Sequence, residues 1–371
     1  MGASEARRGW IAMVLPYSPL EQLAGLEFAT VQAAKSLDGS GWHISLCCVG
    51  RSGLIEGVEI LGYANLARLA WKVAFSPVEI VHFMEIWPTP LTRALQLSAG
   101  LMLRARGRTV ITTVATYGNI TTRTGSRLEA RLWYSINKRI IGLNTRQRDE
   151  LLKRGLLSDK FRVCPRGVPP YFEPPSISQR IASREALGLP SDKKLVLFLG
   201  RFVARKRVLA LAKLWQDAGA RLQDCALIMV GTGAHNDDSI EGQLRAVVER
   251  NPGNMAIFPW TSQPLAYLQA CDVFVLPSER EGQPNALLQA MACGLGVVVS
   301  SSPGLTEIVE HNVTGLHAQT LCQVIDAIEL LTRNDALCQN LGSNSAAYIQ
   351  REHTMNEVRG FHAALYHELL D

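Results

Sequence analysis

Short apolar runs rich in β-branched and aromatic residues alternate with longer stretches of helical character along most of this chain, and that alternation restricts the fold more than any other feature. Strand-like segments at 10–15, 43–49, 78–83, 109–114, 139–143 and 161–164 are interleaved with expected helices at 25–37, 61–74, 89–105, 126–137 and 146–155. Parallel strands need long crossovers, and helices supply them, so the pattern predicts an α/β chain with doubly wound parallel sheets. The alternation stops at a proline cluster, Pro165, Pro169, Pro170, Pro174 and Pro175, and then resumes through residue 330. Such a cluster makes a stiff, non-helical connection. With 371 residues, 47% of them hydrophobic, the chain is long enough for two cores. The expected division is 1–172, 173–352 and a closing helical stretch, 353–371, whose residues 356–370 have apolar positions at helical spacing.

The densest chemical information lies in residues 272–300, DVFVLPSEREGQPNALLQAMACGLGVVVS. Val273 to Leu276 and Val297 to Val299 suit strands covered on both faces. Between them Pro284 fits the first helical position, while Gly294 and Gly296 fit a helix exit. The amides near Asn285 and Ala286 then lack helical partners and present the positive end of a dipole to an anion, for which phosphate is the natural guest. Glu281 precedes this helix, and Gln289 lies eight residues on, about 12 Å away if the stretch is wholly helical. One side chain can grip a sugar hydroxyl and the other a ribose diol. The alternative is a plain crossover in which Glu281 only caps the helix.

The segment from Pro277 through Glu281, Gly282, Gln283, Pro284, Asn285 and Gln289 to Gly294 resembles the signature of the retaining GT-B glycosyltransferases of the family 4-like group, the glycosyl transferases group 1. The family pattern has a second Glu where this chain has Gln289. An amide still bonds a hydroxyl, but it carries no charge and adds donors. The resemblance implies two Rossmann-like doubly wound domains facing across a cleft, with a C-terminal helix crossing back to the N-terminal domain. A second match begins after the apolar run 195–199, at Gly200, Arg201 and the sequence through Lys206. There Arg201 can bind two phosphate oxygens and Lys206 supplies a compact charge, together stabilising a nucleoside diphosphate as it leaves. Smaller landmarks follow in order: Gly231 in a turn near the nucleotide, and Trp260 after a strand exit, either stacked on the base or buried as a core aromatic.

The N-terminal half matches less. Gly25 falls in a loop where a glycine lets the backbone approach the donor phosphate. His82 ends a strand, where it either touches a ligand or serves the core. Relatives place a His after the next strand; here the text is Thr116-Tyr117, so Thr116, Tyr117 or the backbone has to replace its hydrogen bond. Charge is concentrated in residues 101–166, with 15 Lys and Arg against 4 Asp and Glu, a local +11 within a chain of net +5. Leu128, Leu132, Ile136 and Ile140 recur there every four residues beside arginines. A basic amphipathic helix of this kind can lie on anionic lipid; alternatively its stripe packs onto its own sheet. No nucleic-acid module accompanies the charge.

No apolar run approaches the roughly 18–20 residues of a membrane span, and the eight cysteines form neither CxxC pairs nor a disulfide-like framework. A cytoplasmic protein is expected, at the inner face of the membrane if the basic region makes peripheral contact. The expected activity is transfer of a hexose, with retention, from a nucleotide-diphosphate sugar, a UDP-sugar favoured, to an acceptor hydroxyl that is lipid-linked or anionic, with neither metal nor cofactor. The rivals are a non-catalytic sugar-nucleotide-binding subunit and a GT-B epimerase.

Overall fold

The computed structural model describes residues 9–21, 25–38, 40–87, 89–115, 127–152, 158–233, 239–250 and 254–370. Internal contacts divide the chain into two compact units, residues 1–169 with 353–371, and residues 170–352.

The first unit is built on an eight-stranded sheet of β1 (Gly9–Leu15), β2 (Trp42–Val49), β3 (Gly53–Ile55), β4 (Val58–Tyr63), β5 (Ile80–Phe83), β6 (Thr109–Val114), β7 (Arg139–Gly142) and β8 (Phe161–Val163). The strands lie in the order β3-β4-β2-β1-β5-β6-β7-β8, parallel everywhere except between β3 and β4. Alternate residues of β1 serve opposite faces, as strand geometry requires. Ile11, Met13 and Leu15 join helices Gly25–Leu37 and Met355–Leu370 in one core, and Ala12 and Val14 join helices Leu66–Ala74 and Pro90–Ala105 in another. The last helix thus belongs to the first unit, seating Leu365, Tyr366 and Leu369 in its core.

Two local expectations are corrected. Residues 61–63 were expected in a helix but lie in β4, whose edge is a hairpin turning through Glu56 (φ 49°) and Gly57 (φ 86°). Two successive positive φ values match the twist of a tight hairpin, and strand pairing with β2 overrides helical propensity up to Tyr63. The helix then starts at Leu66, with the Asn65 side chain accepting from the Arg68 amide at 2.9 Å. The four-residue stripe of the basic segment also fails to pack as a unit. Helix Arg127–Ile136 buries Ala130, Trp133, Tyr134 and Ile136, whereas Leu128 and Leu132 are exposed and Ile140 is in β7.

The second unit carries a six-stranded, wholly parallel sheet: β9 (Lys194–Leu199), β10 (Cys225–Val230), β11 (Met255–Phe258), β12 (Val273–Leu276), β13 (Gly296–Ser300) and β14 (Leu316–Ala318). Their order is β11-β10-β9-β12-β13-β14. β10, β12 and β13 are buried throughout, as strands covered on both faces must be. The chain winds to one side of β9 for β10 and β11, then to the other for β12 to β14. Loops leaving β9 and β12 therefore diverge, and an open α/β sheet has its crevice at the carboxyl ends of such a pair.

Candidate functional site

The residues singled out between 200 and 289 converge on that switch point. Gly200 and Arg201 follow β9, Gly231 follows β10, and Glu281 to Ala286 follow β12. The turns after β9 and β10 touch: the Gly200 amide donates to the Val230 carbonyl (3.0 Å) and the Phe202 amide to the Thr232 carbonyl (2.8 Å). A Cβ on Gly231 would lie 2.0 Å from the Gly200 carbonyl oxygen, so only glycine permits this approach.

At the centre is a buried ion pair. Lys206 Nζ lies 2.5 Å from Glu281 Oε1, with both side chains nearly inaccessible. Arg205 Nη1 reaches the same oxygen at 3.3 Å. The Lys206 segment is a short 3-10 turn, Ala204–Lys206, tied to the β12 loop by the Glu279 amide donating to the Arg205 carbonyl at 2.9 Å. Burial pushes the Lys206 ammonium down; Glu281 pulls it back up, while Arg205 and Arg201 press it lower. Burial alone would raise the Glu281 carboxyl, but Lys206 and Arg205 outweigh it and hold the group below its ordinary range. Glu281 is thus a fixed anion, clasped by two cations of which Arg205 is the less buried. Arg201 stays exposed beside them.

The helix Asn285–Ala292 begins just past this cluster. Pro284 is its N-cap residue, not its first helical residue as expected from sequence, and its carbonyl accepts from the Leu287 and Leu288 amides at 3.1 and 3.2 Å. Pro284 makes no side-chain cap bond, and the Glu281 carboxylate is engaged by Lys206 and Arg205. The first amides of any helix lack partners within it, which gives a helix start its affinity for anions. Gly282 is half-buried; Gln283 and Gln289 are buried, the latter on the helix facing inward.

Trp260, past β11, is 45% exposed, which removes the core-aromatic alternative and leaves its ring available for stacking. The neighbouring β10 loop is held by Glu241, whose carboxylate accepts from the Gly233 amide (2.6 Å) and Thr232 Oγ1 (3.1 Å). That amide and Arg245 depress its pKa.

Candidates in the first unit fare differently. His82 is wholly buried in β5, with Nδ1 2.9 Å from the Tyr366 hydroxyl and Nε2 2.7 Å from Thr113 Oγ1. Both ring nitrogens are spent, and burial, with His362 nearby, pushes its pKa well down. Its acceptor-side role is withdrawn: a sealed ring cannot reach a ligand. Gly25 opens the helix Gly25–Leu37, its carbonyl accepting from Arg166 Nη1 at 2.9 Å. Burial lowers the Arg166 guanidinium to about 10 against the raising effect of Glu85 and Glu27. Thr116 and Tyr117 lie outside the described residues.

Two contributors escaped the sequence reading. Arg205 joins the Glu281 clamp, but three cations sit within three positions and periodicity does not tell which one turns inward. Gly304 (φ 83°) backs the Glu281–Gly282 turn so closely that a Cβ would meet the Glu281 carbonyl oxygen at 2.0 Å. Only the proline before it hinted at a turn. A separate hollow of about 690 Å³ opens at the amino-terminal ends of these strands, lined by Arg180, Arg184 and Asp272 among others. There both arginines bind Asp272, at 3.0 and 2.9 Å.

Residues 179–348 match the family model described as glycosyl transferases group 1. The Campylobacter jejuni N,N'-diacetylbacillosaminyl-diphospho-undecaprenol alpha-1,3-N-acetylgalactosaminyltransferase is 33% identical over 159 residues, 42% of this chain and 40% of that protein. The D-inositol 3-phosphate glycosyltransferase of Acidothermus cellulolyticus is 29% identical over 216 residues, 56% of this chain. The chain spans less than half the length of these relatives, 40% and 48%. Anabaena HepE, solved with UDP and glucose, superposes with a TM-score of 0.80 over 97% of this chain and all of its own at 15% identity. Sucrose-phosphate synthase of Thermosynechococcus elongatus gives 0.81 over 98% and 99% at 19% identity. These likenesses establish the GT-B fold. Residues 179–348, a little under half of the chain, are similar to the glycosyl transferases group 1 family.

Proposed function

We propose that this chain is a retaining glycosyltransferase that moves a hexose from a nucleotide-diphosphate sugar to an acceptor hydroxyl. The observation that carries the reading is the Lys206–Glu281–Arg205 cluster shortly before the helix Asn285–Ala292, in the loops past the carboxyl ends of β9 and β12. An anion clasped by cations near a helix start suits a ligand bearing both hydroxyls and phosphates. Glu281, with the backbone at Gly282 to Ala286, orients the donor sugar. Arg201 and Lys206 hold the diphosphate, Gly200 and Gly231 let the backbone approach it, and Gln289 contacts the ribose. Trp260 stacks on the base. Relatives solved with UDP favour a UDP-sugar.

The glycosidic bond to the diphosphate breaks as the acceptor oxygen attacks the same face of the sugar, so configuration is kept. The acceptor's proton passes to the leaving phosphate oxygen, and no protein nucleophile is needed. Negative charge growing on the diphosphate is met by Arg201, Lys206 and the helix start, fixed charges that need not reorganise during reaction. Because these supply the positive charge locally, transfer is expected to persist in chelator.

A panel of nucleotide sugars, with nucleotide release followed with and without EDTA, tests this reading. Turnover with at least one donor is expected. Tight nucleotide binding with no turnover from any donor favours instead the non-catalytic subunit suggested by the neutral Gln289.

A further inference from the structure

We infer that the outer face of three consecutive helices in the first unit, Leu66–Ala74, Pro90–Ala105 and Arg127–Ile136, is a docking surface for an anionic lipid bilayer. This goes beyond the proposed transfer to an acceptor hydroxyl and rests on that reading only for its purpose. Two of these helices bury one side against the sheet through Leu66, Leu69, Val73 and Leu103, and the third through Ala130 and Trp133. Their opposite sides should be polar by the ordinary amphipathic pattern. Instead they expose Trp71 (57%), Phe75 (49%), Leu91 (71%), Leu95 (43%), Leu128 (68%) and Leu132 (45%).

The three helices adjoin one another in a single layer. Arg93 meets Glu129 at 2.7 Å near the starts of the second and third helices, and Arg104 donates to the Ile136 carbonyl at 3.2 Å near their ends. The two helices therefore run side by side in one direction, with Leu91, Leu95, Leu128 and Leu132 exposed toward their starts. At the far end the Arg106 guanidinium lies 3.8 Å over the Phe75 ring, which itself sits 4.4 Å from the Trp71 ring. Arg106 thus joins the aromatic pair of the first helix to the second.

Charge selects the occupant. The three helices carry six Arg and Lys and a single carboxylate, Glu129, which Arg93 engages. Exposed leucines, a tryptophan and a phenylalanine ringed by Arg68, Lys72, Arg106, Arg131 and Lys138 suit acyl chains beneath phosphate headgroups. A protein partner would more commonly be met by charges of both signs. Among the described residues no helix is long and apolar enough to cross a membrane, so contact would be peripheral.

The test is co-sedimentation of the full chain with vesicles of phosphatidylcholine alone or mixed with phosphatidylglycerol, without donor or acceptor. Binding to the mixed vesicles, weakened in 1 M salt, is expected. The double variant Leu91→Asp/Leu128→Asp should lose about tenfold in partitioning, because two anions replace apolar contacts at the headgroup layer. Its thermal unfolding and its nucleotide binding should stay unchanged, since both positions are exposed and lie in the first unit. Equal binding to neutral vesicles, undiminished binding of the variant, or absence of binding with concentration-dependent dimerisation through this face would overturn the inference. None of those outcomes touches nucleotide-dependent transfer, which the donor panel reads separately.

Discussion

The two units bury polar groups in or just past their strands and use them in opposite ways. In the second unit, Glu281 in the loop past β12 is buried, charged and clasped by Lys206 and Arg205. In the first, His82 on β5 is buried, neutral and exhausted by Tyr366 and Thr113, and Tyr366 comes from 284 residues away in the chain. Charged groups with excess cations keep capacity for a ligand; neutral groups with every bond filled have none left. A polar group in the loop past a strand thus belongs to the candidate site in one unit, while one inside a strand fastens the closing helix in the other.

That contrast is open to direct attack. Glu281→Ala should reduce transfer by at least about 100-fold, because a misplaced donor sugar forfeits productive geometry, while nucleoside diphosphate binding changes only a few-fold. Steady-state turnover beside calorimetric UDP titration checks it, and undiminished turnover would remove Glu281 from the reaction. His82→Ala should do the reverse, costing the first unit about 2–3 kcal/mol through a cavity and an unsatisfied Tyr366 hydroxyl, with nucleotide affinity untouched. Denaturant unfolding followed alongside UDP binding separates the two effects; a loss of UDP affinity would argue that the ring serves the ligand after all.

A smaller effect should come from pH. Burial lowers the pKa of His82, and of His362 beside it, below the ordinary value of 6.5. Both imidazoles remain neutral in the folded chain while the unfolded chain takes up protons below about pH 6.5. The stability they contribute is therefore complete above that pH and is lost as pH falls toward the folded values, by up to about 1.4 kcal/mol per pH unit for each ring. Unfolding curves between pH 7 and 5 should show this slope, and His82→Gln should reduce it. The Lys206–Glu281 pair should hold through the same interval, because the Glu281 carboxyl is depressed below its ordinary range. The least effect is expected from Gln289→Glu, which restores the family's carboxylate at a buried position. A few-fold change in donor affinity or preference between nucleotides is expected, and identical donor profiles would show that the amide there is immaterial.

Much of the second unit was readable in advance because its information is local. Glu281, Pro284, Asn285 and Gln289 fall within nine residues on one strand-to-helix crossover, so strand run, turn and helix start could be placed from their order alone. Pro284 was one position off because a proline suits the N-cap as well as the first turn. Arg205 was missed because adjacent cations on a turn carry no periodic signal about which points inward. The first unit was less legible. The helix expected at 61–74 yielded its start to β4 because β2 offered a hydrogen-bonding partner, and the Leu128–Ile140 stripe was misread because Ile140 belongs to the next strand.

The chain's own order of apolar runs, glycines and prolines determined two parallel α/β units and the loop bearing Glu281, because backbone propensity and short-range spacing act within a few residues. Tertiary structure alone decided that Lys206 and Arg205 close on Glu281, that His82 is sealed by Tyr366, and that Leu91 and Leu128 are left exposed. Those outcomes depend on which distant segments pack together, and burial and charge pairing take their values only once they have.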